Sequence, residues 1–236
     1  GMNFTNVHGH WGAEQQRFVQ KINYGKIVIE NRRGISSHHH NPYFIIDRDA
    51  TETGGDVYFG ALRVSGNFSG IVEQTQYGET LVQLGLNPHD FRLDLQPGKS
   101  FTSPAIICGY SSKGFGQMSH NLHSFAKDFI LRKGLRPVLY NSWEATGFKV
   151  NCSEQMKLAR KAKEIGAELF VVDDGWFGER HGIDNGLGDW YVNERKFPNG
   201  LSELISEVKS LGLMFGIWVE PEMVNPKAKL YAEHPD

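Results

Sequence analysis

Apolar and polar positions follow two different rhythms along the chain, and the change falls near Arg136. Before it, short runs such as KIVIE (Lys26 to Glu30), PYFIID (Pro42 to Asp47), DVYFGALRVSG (Asp56 to Gly66), IVEQTQ (Ile71 to Gln76) and TLVQLGL (Thr80 to Leu86) are rich in β-branched and aromatic residues. Gly, Pro, Asn and Asp punctuate them, and LQPGKSF leads through a Pro-Gly turn into PAIICGY. From Asn3 to about Gly114 this grammar predicts an antiparallel sandwich. Leu122, Phe125, Ala126, Phe129 and Ile130 then recur at helical spacing, which predicts a bridging helix over Met118 to Arg132.

After Arg136, PVLYNSW, ELFVVDD and LMFGIWVEP are near-continuous apolar runs separated by helical patterns. Ser153 is the expected cap of a helix that carries Met156, Ala159, Ala162 and Ile165 on one side and stops at Gly166. A second helix, LSELISEVKSLG, presents Leu201, Leu204, Ile205, Val208 and Leu211 on one stripe, with Gly212 as its stop. Strand, helix, strand, helix, strand with apolar strands predicts a parallel sheet covered by helices. An eight-stranded barrel needs roughly 200 residues or more. The residues after Arg136 supply about half of that, enough for three strands.

Composition narrows the function classes. At 236 residues and 39% hydrophobic, the chain is long and apolar enough for one or two cored domains. A formal charge of −2 without any long basic run argues against a nucleic-acid partner. Cys108 and Cys152 show neither metal-ligand spacing nor a disulfide framework, which fits a reduced cytoplasm. No apolar run reaches membrane-spanning length, and no signal peptide is expected. Gly1-Met2 reads as the remnant of a cleaved tag ahead of an initiator methionine.

The stretch LFVVDDGWFG poses the functional question, because two adjacent carboxylates do nothing for a strand. In parallel α/β sheets substrates bind beyond the carboxyl ends of the strands. At that end the first strand delivers Asn141, Trp143 and Glu144, the second Asp173, Asp174 and Trp176, and the third Trp218, Glu220 and Glu222. By period two, Met214, Gly216, Trp218 and Glu220 would share an inward face, leaving Phe215, Ile217 and Val219 to pack under helices. Carboxylates accept hydrogens from vicinal hydroxyls, and indoles cover the C–H face of a sugar ring. The bland alternatives stay open on position alone: an Asp pair after a strand can simply cap the next turn, and a single Trp can be core.

Other motifs carry less. His38-His39-His40 resembles a metal cluster, yet consecutive residues on an extended chain point to alternate faces, so no metal site is expected. DNGLGDW (Asp184 to Trp190) lacks calcium-loop spacing and reads as a solvated turn or a substrate-side loop. No phosphate loop and no nucleophile elbow occur, so no cofactor is expected and a phosphorylated substrate is disfavoured.

With those residues assembled, the chain resembles the bacterial α-galactosidases of glycoside hydrolase family 36. RRGISSHHHNPYF, VYFGALRVSGNF, GLNPHDFRLDLQPGKSFTSPA, RPVLYNSWEATGF, LFVVDDGWFGER, GLGDWYVNERKFPNGL and FGIWVEPEMVNPKAKLYAEHPD carry the resemblance, in the family's order. It implies a β-supersandwich over residues 1–117, a linking helix over 118–135, and the first three β/α units of a (β/α)8 barrel over 136–236. It implies that Asp173 and Asp174 hold hydroxyls of a terminal galactose, that Trp143 and Trp218 line the pocket, and that Trp11 is a rim residue lent by the sandwich. It further implies a retaining hydrolase of melibiose- or raffinose-type oligosaccharides, tetrameric when complete. A retaining enzyme needs two carboxyls about 5 to 5.5 Å apart across the scissile bond. The family's nucleophile and acid/base fall beyond Asp236, so none is expected within the chain. The competing expectation is a galactoside-binding remnant without turnover.

Overall fold

The computed structural model describes residues 1–35 and 37–235; Ser36 of the SSHHHNP segment and the terminal Asp236 lie outside the described residues. The chain divides into two units, Gly1–Lys133 and Gly134–Asp236.

The first unit is built from β1 (Asn3–His10), β2 (Ala13–Lys21), β3 (Gly25–Asn31), β4 (Tyr43–Asp47), β5 (Val57–Leu62), β6 (Phe68–Gln74), β7 (Thr80–Leu86), β8 (Ile106–Ser111) and α1 (Gly114–Phe129). Two antiparallel sheets form, ordered β2-β1-β4-β5-β8 and β3-β6-β7. Phe4, Ile46 and Leu62 from the larger sheet meet Ile29, Phe68 and Val72 from the smaller in one core. Alternation sends Val57 and Phe59 to the opposite face, where Met118, Phe115 and Leu122 of α1 cover them. The helix read as a bridge over Met118 to Arg132 therefore begins at Gly114, ends at Phe129, and packs on the sandwich.

Strands β1 and β2 both lie outside the segments that the hydrophobic pattern singles out, and β2 is the more polar of the two. Its AEQQRFVQK carries few apolar residues, and it forms because its ladder to β1, from Asn3↔Lys21 to His10↔Ala13, satisfies the backbone at a sheet edge. An edge strand with polar, charged side chains is also protected against pairing with other chains.

The second unit contains β9 (Leu139–Asn141), α2 (Trp143–Thr146), α3 (Cys152–Glu164), β10 (Leu169–Val172), α4 (Ser202–Ser210), β11 (Met214–Ile217) and α5 (Lys229–Glu233). The three strands are parallel with β10 in the middle. Phe170 and Val172 point into the core with Ala159, Ala162, Leu204 and Val208 of the two long helices, and Tyr140 stacks on Phe170 at 5.4 Å. Burying a ring such as Phe170 contributes about 1.5–3 kcal/mol.

Both helix stops expected from sequence are present: Gly166 and Gly212 take φ of 88° and 74°, which a β-carbon disfavours. The expected cap is displaced. Asn151, not Ser153, accepts the Glu154 N–H at 3.0 Å, while the Ser153 hydroxyl donates to the Asn151 side chain. Helix α3 begins two residues earlier than a cap at Ser153 would allow, since Cys152 already belongs to it. The third strand is shorter than LMFGIWVEP suggests. It ends at Ile217, and only the Trp218 N–H extends the ladder, to the Val172 carbonyl. Phe215 joins the core, whereas Ile217 and Val219 remain partly exposed, so that face is not uniformly covered by helix.

Candidate functional site

The parity of β10 decides where its carboxylates go. Phe170 and Val172 face the helices, so Leu169, Val171 and Asp173 share the other face. Gly216 of β11 lies on that face too, since a β-carbon there would stand 3.0 Å from Val171 Cγ2. Asp173 is buried, and its Oδ2 accepts from Asn141 Nδ2 at 2.5 Å, across from the end of β9. Its Oδ1 accepts the Asp174 N–H, and its own N–H donates to the Ser142 hydroxyl at 3.0 Å. Asp173 thus braces the local turn, as the bland reading allowed, while remaining at the strand end.

Asp174 is held differently. Arg180 Nε lies 2.9 and 3.1 Å from its two oxygens, and Arg180 Nη2 lies 2.8 Å from Oδ2. Asp174 and Arg180 are each 5% exposed, so this is a buried, forked ion pair. The guanidinium answers the like-charge problem that LFVVDDGWFG raises. Sequence reading missed this partner; the available signal is an arginine six positions on in a segment otherwise rich in glycine and aromatics.

A second cation supports the same loop. Lys196 Nζ donates to the carbonyls of Phe148, Gly175 and Arg180 at 2.9, 2.6 and 2.8 Å. Burial pulls its ammonium below the ordinary lysine value, opposed by the carboxylates of Asp174 and Glu179. Glu220 shows the opposite shift: burial raises its carboxyl above the usual range, Glu222 and Asp174 add to this, and Arg180 opposes it. Glu220 thus lies within the electrostatic reach of the Asp174–Arg180 pair.

The indoles flank these acids. Trp143 opens α2 directly after β9, its backbone N–H donates to Asn141 Oδ1 at 2.8 Å, and its ring meets Phe148 edge-on at 5.0 Å. Phe148 in turn carries the Arg180 guanidinium on its face at 5.1 Å. Trp218 follows β11, lies 6.4 Å from both Phe177 and Trp190, and accepts the Trp176 indole N–H on its carbonyl at 2.8 Å. Four of the five nominated residues, Asp173, Asp174, Trp143 and Trp218, therefore gather at the carboxyl ends of three neighbouring strands. Trp11 belongs to the other unit, where it is 85% exposed between β1 and β2.

One secondary expectation changes. DNGLGDW is no solvated turn: Leu187 and Asp189 are buried, and Asp189 accepts the Lys229 and Leu230 N–H groups that open α5. Of the consecutive histidines, His39 and His40 pack against each other at 5.0 Å, and His40 also lies 6.0 Å from His8. Among the described residues, no group of three or more His, Cys, Asp or Glu is placed to hold a metal ion. Nor is any helix among them long and apolar enough to cross a membrane.

Comparison with known proteins adds a framework. Residues 1–96 match the glycosyl hydrolase family 36 N-terminal domain, and residues 100–236 match the melibiase family. Alpha-galactosidase AgaA of Geobacillus stearothermophilus is 44% identical over 99% of this chain, and alpha-galactosidase Mel36A of Lactobacillus acidophilus 42% over 94%. The chain covers 33% and 31% of those relatives, about a third of their length. The AgaA crystal structure superposes with a TM-score of 0.93 at 43% identity, covering all of this chain and 33% of AgaA; variants of AgaA have been solved with stachyose and with raffinose. The sandwich and the three parallel strands are thus the antiparallel region and barrel start of this fold. The chain belongs to the melibiase family, glycosyl hydrolase family 36.

Proposed function

We propose that this chain is part of a retaining α-galactosidase that releases terminal α-linked galactose from oligosaccharides of the melibiose and raffinose type. The observation that carries the reading is the gathering of Asp173, Asp174, Trp143 and Trp218 at the ends of three successive parallel strands. The two carboxylates accept hydroxyl hydrogens of one galactose, and the indoles of Trp143 and Trp218 cover its apolar face. Trp11 offers a further exposed indole.

Neither aspartate is the nucleophile. Asp174 is forked by Arg180 and Asp173 by Asn141 and a backbone N–H, and adjacent carboxyls do not flank a glycosidic bond. Both catalytic carboxyls come from sequence outside these 236 residues. The same engagement favours a second reading for the segment by itself: galactoside binding without hydrolysis. The complete enzyme is read as a cytoplasmic homotetramer without cofactor.

Hydrolysis of a chromogenic α-galactoside by the full-length gene product tests the proposal. Turnover is expected in the parent and is expected to fall steeply in Asp174→Asn, with thermal melting confirming a folded variant. Full turnover in that variant would remove Asp174 from the site.

A further inference from the structure

Arg180 makes more contacts than a counter-charge for Asp174 requires. Nε and Nη2 fork onto the Asp174 carboxylate, while Nη1 reaches the carbonyls of Ile183 and Asn185 at 3.2 and 3.0 Å and the Asn225 side-chain oxygen at 3.3 Å. Its face rests on Phe148 at 5.1 Å, and Phe148 meets Trp143 edge-on. Asn225 closes the arrangement from the segment after β11, accepting the Leu187 N–H and donating to the Ile183 carbonyl. One guanidinium, itself 5% exposed, thus joins the loop after β10, the segment after β11 and the aromatic pair after β9.

From this geometry we infer that Arg180 is the positioning residue of the galactose site. It fixes the orientation of the Asp174 carboxylate and, through Phe148, the tilt of the Trp143 indole. This rests on the reading of Asp174 and Trp143 as galactose contacts. Arg180 does not itself touch the sugar, because all three of its nitrogens already have protein acceptors. Fold stability alone does not call for such a pair, since buried ion pairs can often be replaced by apolar groups of similar volume without loss. A forked guanidinium does what an apolar group cannot: it allows the carboxylate one rotamer and leaves the oxygen lone pairs turned away from the fork free to accept hydroxyls. Lys196, the other cation near Asp174, cannot substitute, because its N–H groups are taken by three carbonyls.

The test is a double-mutant cycle in the full-length enzyme, using Arg180→Gln, Asp174→Asn and the pair together on a chromogenic α-galactoside. Arg180→Gln is expected to lower kcat/KM by about 100-fold, the scale of a misplacement near 1 Å, with a rise in KM for the galactoside. In the Asp174→Asn background the same change is expected to cost little more, because the residue acts through Asp174. Equal losses in both backgrounds, or a lower melting temperature with unchanged KM, would overturn the inference while leaving Asp174 in the site. Parent-like turnover in Asp174→Asn would overturn both readings. Should Arg180→Gln not fold, Arg180→Lys keeps the charge without the fork and carries the same expectations.

Discussion

The two units each bury carboxylates at the end of a strand, and they treat them in opposite ways. In the sandwich unit, Asp47 ends β4 at 3% exposure and accepts only neutral donors, Asn3 Nδ2 at 3.1 Å and the Ala50 N–H at 3.0 Å. These join adjacent strands and the following turn, so Asp47 completes the local backbone. In the barrel unit, Asp174 is met by a guanidinium at equal depth, beside a second carboxylate and within a shell of aromatic rings. Burial alone does not mark an acid as functional. What separates the two is that the second arrangement concentrates charge and aromatic surface beyond what turn formation needs.

The largest expected effect breaks that contrast at its charged end. Asp174→Ala strands the Arg180 guanidinium in the interior, which costs about 3–5 kcal/mol. Urea unfolding followed by tryptophan fluorescence reads it, since four of the five tryptophans lie in this unit. Asp47→Ala removes a carboxylate with neutral partners, and the Asn3 amide keeps a second acceptor in Asp49 at 3.3 Å. About 1–3 kcal/mol is expected there, read by circular dichroism, with no change in galactoside turnover by the full-length enzyme. Equal losses at both sites would mean the guanidinium contributes nothing special.

Asp173 sharpens the comparison because it resembles Asp47 in its donors and Asp174 in its location. Asn141→Ala removes the amide on Oδ2 and leaves the Asp174 N–H on Oδ1. A loss of about 1.5 kcal/mol is expected in the same urea experiment, together with weaker galactoside binding as the Trp143 backbone loses its acceptor. Stability lost without any change in binding would make Asp173 a purely structural acid like Asp47.

The contrast also explains what was legible in the sequence. Strands β3 to β8 and the three parallel strands are visible because each must match a buried face, and period two or a continuous apolar run records that match. β2 is not singled out because its partner, rather than its own side chains, determines it. The DD pair and the flanking indoles are visible through their position after strands. Arg180 is invisible as a partner because its pairing depends on the loop returning on itself, with Asn225 arriving from 45 residues away. The cap at Asn151 is a local ambiguity: Asn151 and Ser153 are both good capping residues two positions apart, and only the extended backbone at Asn151, φ −153° and ψ 160°, decides between them.

A third acid, Glu220, falls outside both patterns and gives the smallest expected effect. Half-buried and raised above its ordinary value of 4.5 by burial first and then by Glu222, it binds its proton more tightly folded than unfolded. The folded state therefore holds more protons through the window between 4.5 and the raised value, and stability falls as pH rises across it. Below that window both states are protonated and the group contributes no difference; above it the loss is complete. Glu220→Gln removes the ionisation, so parent and variant should melt together at acid pH and the variant should melt higher near neutrality. A constant offset at every pH would assign the change to packing or hydrogen bonding instead. A gap that grows with pH would assign the effect to the ionisation of Glu220, whose carboxyl is raised first by burial and then by Glu222.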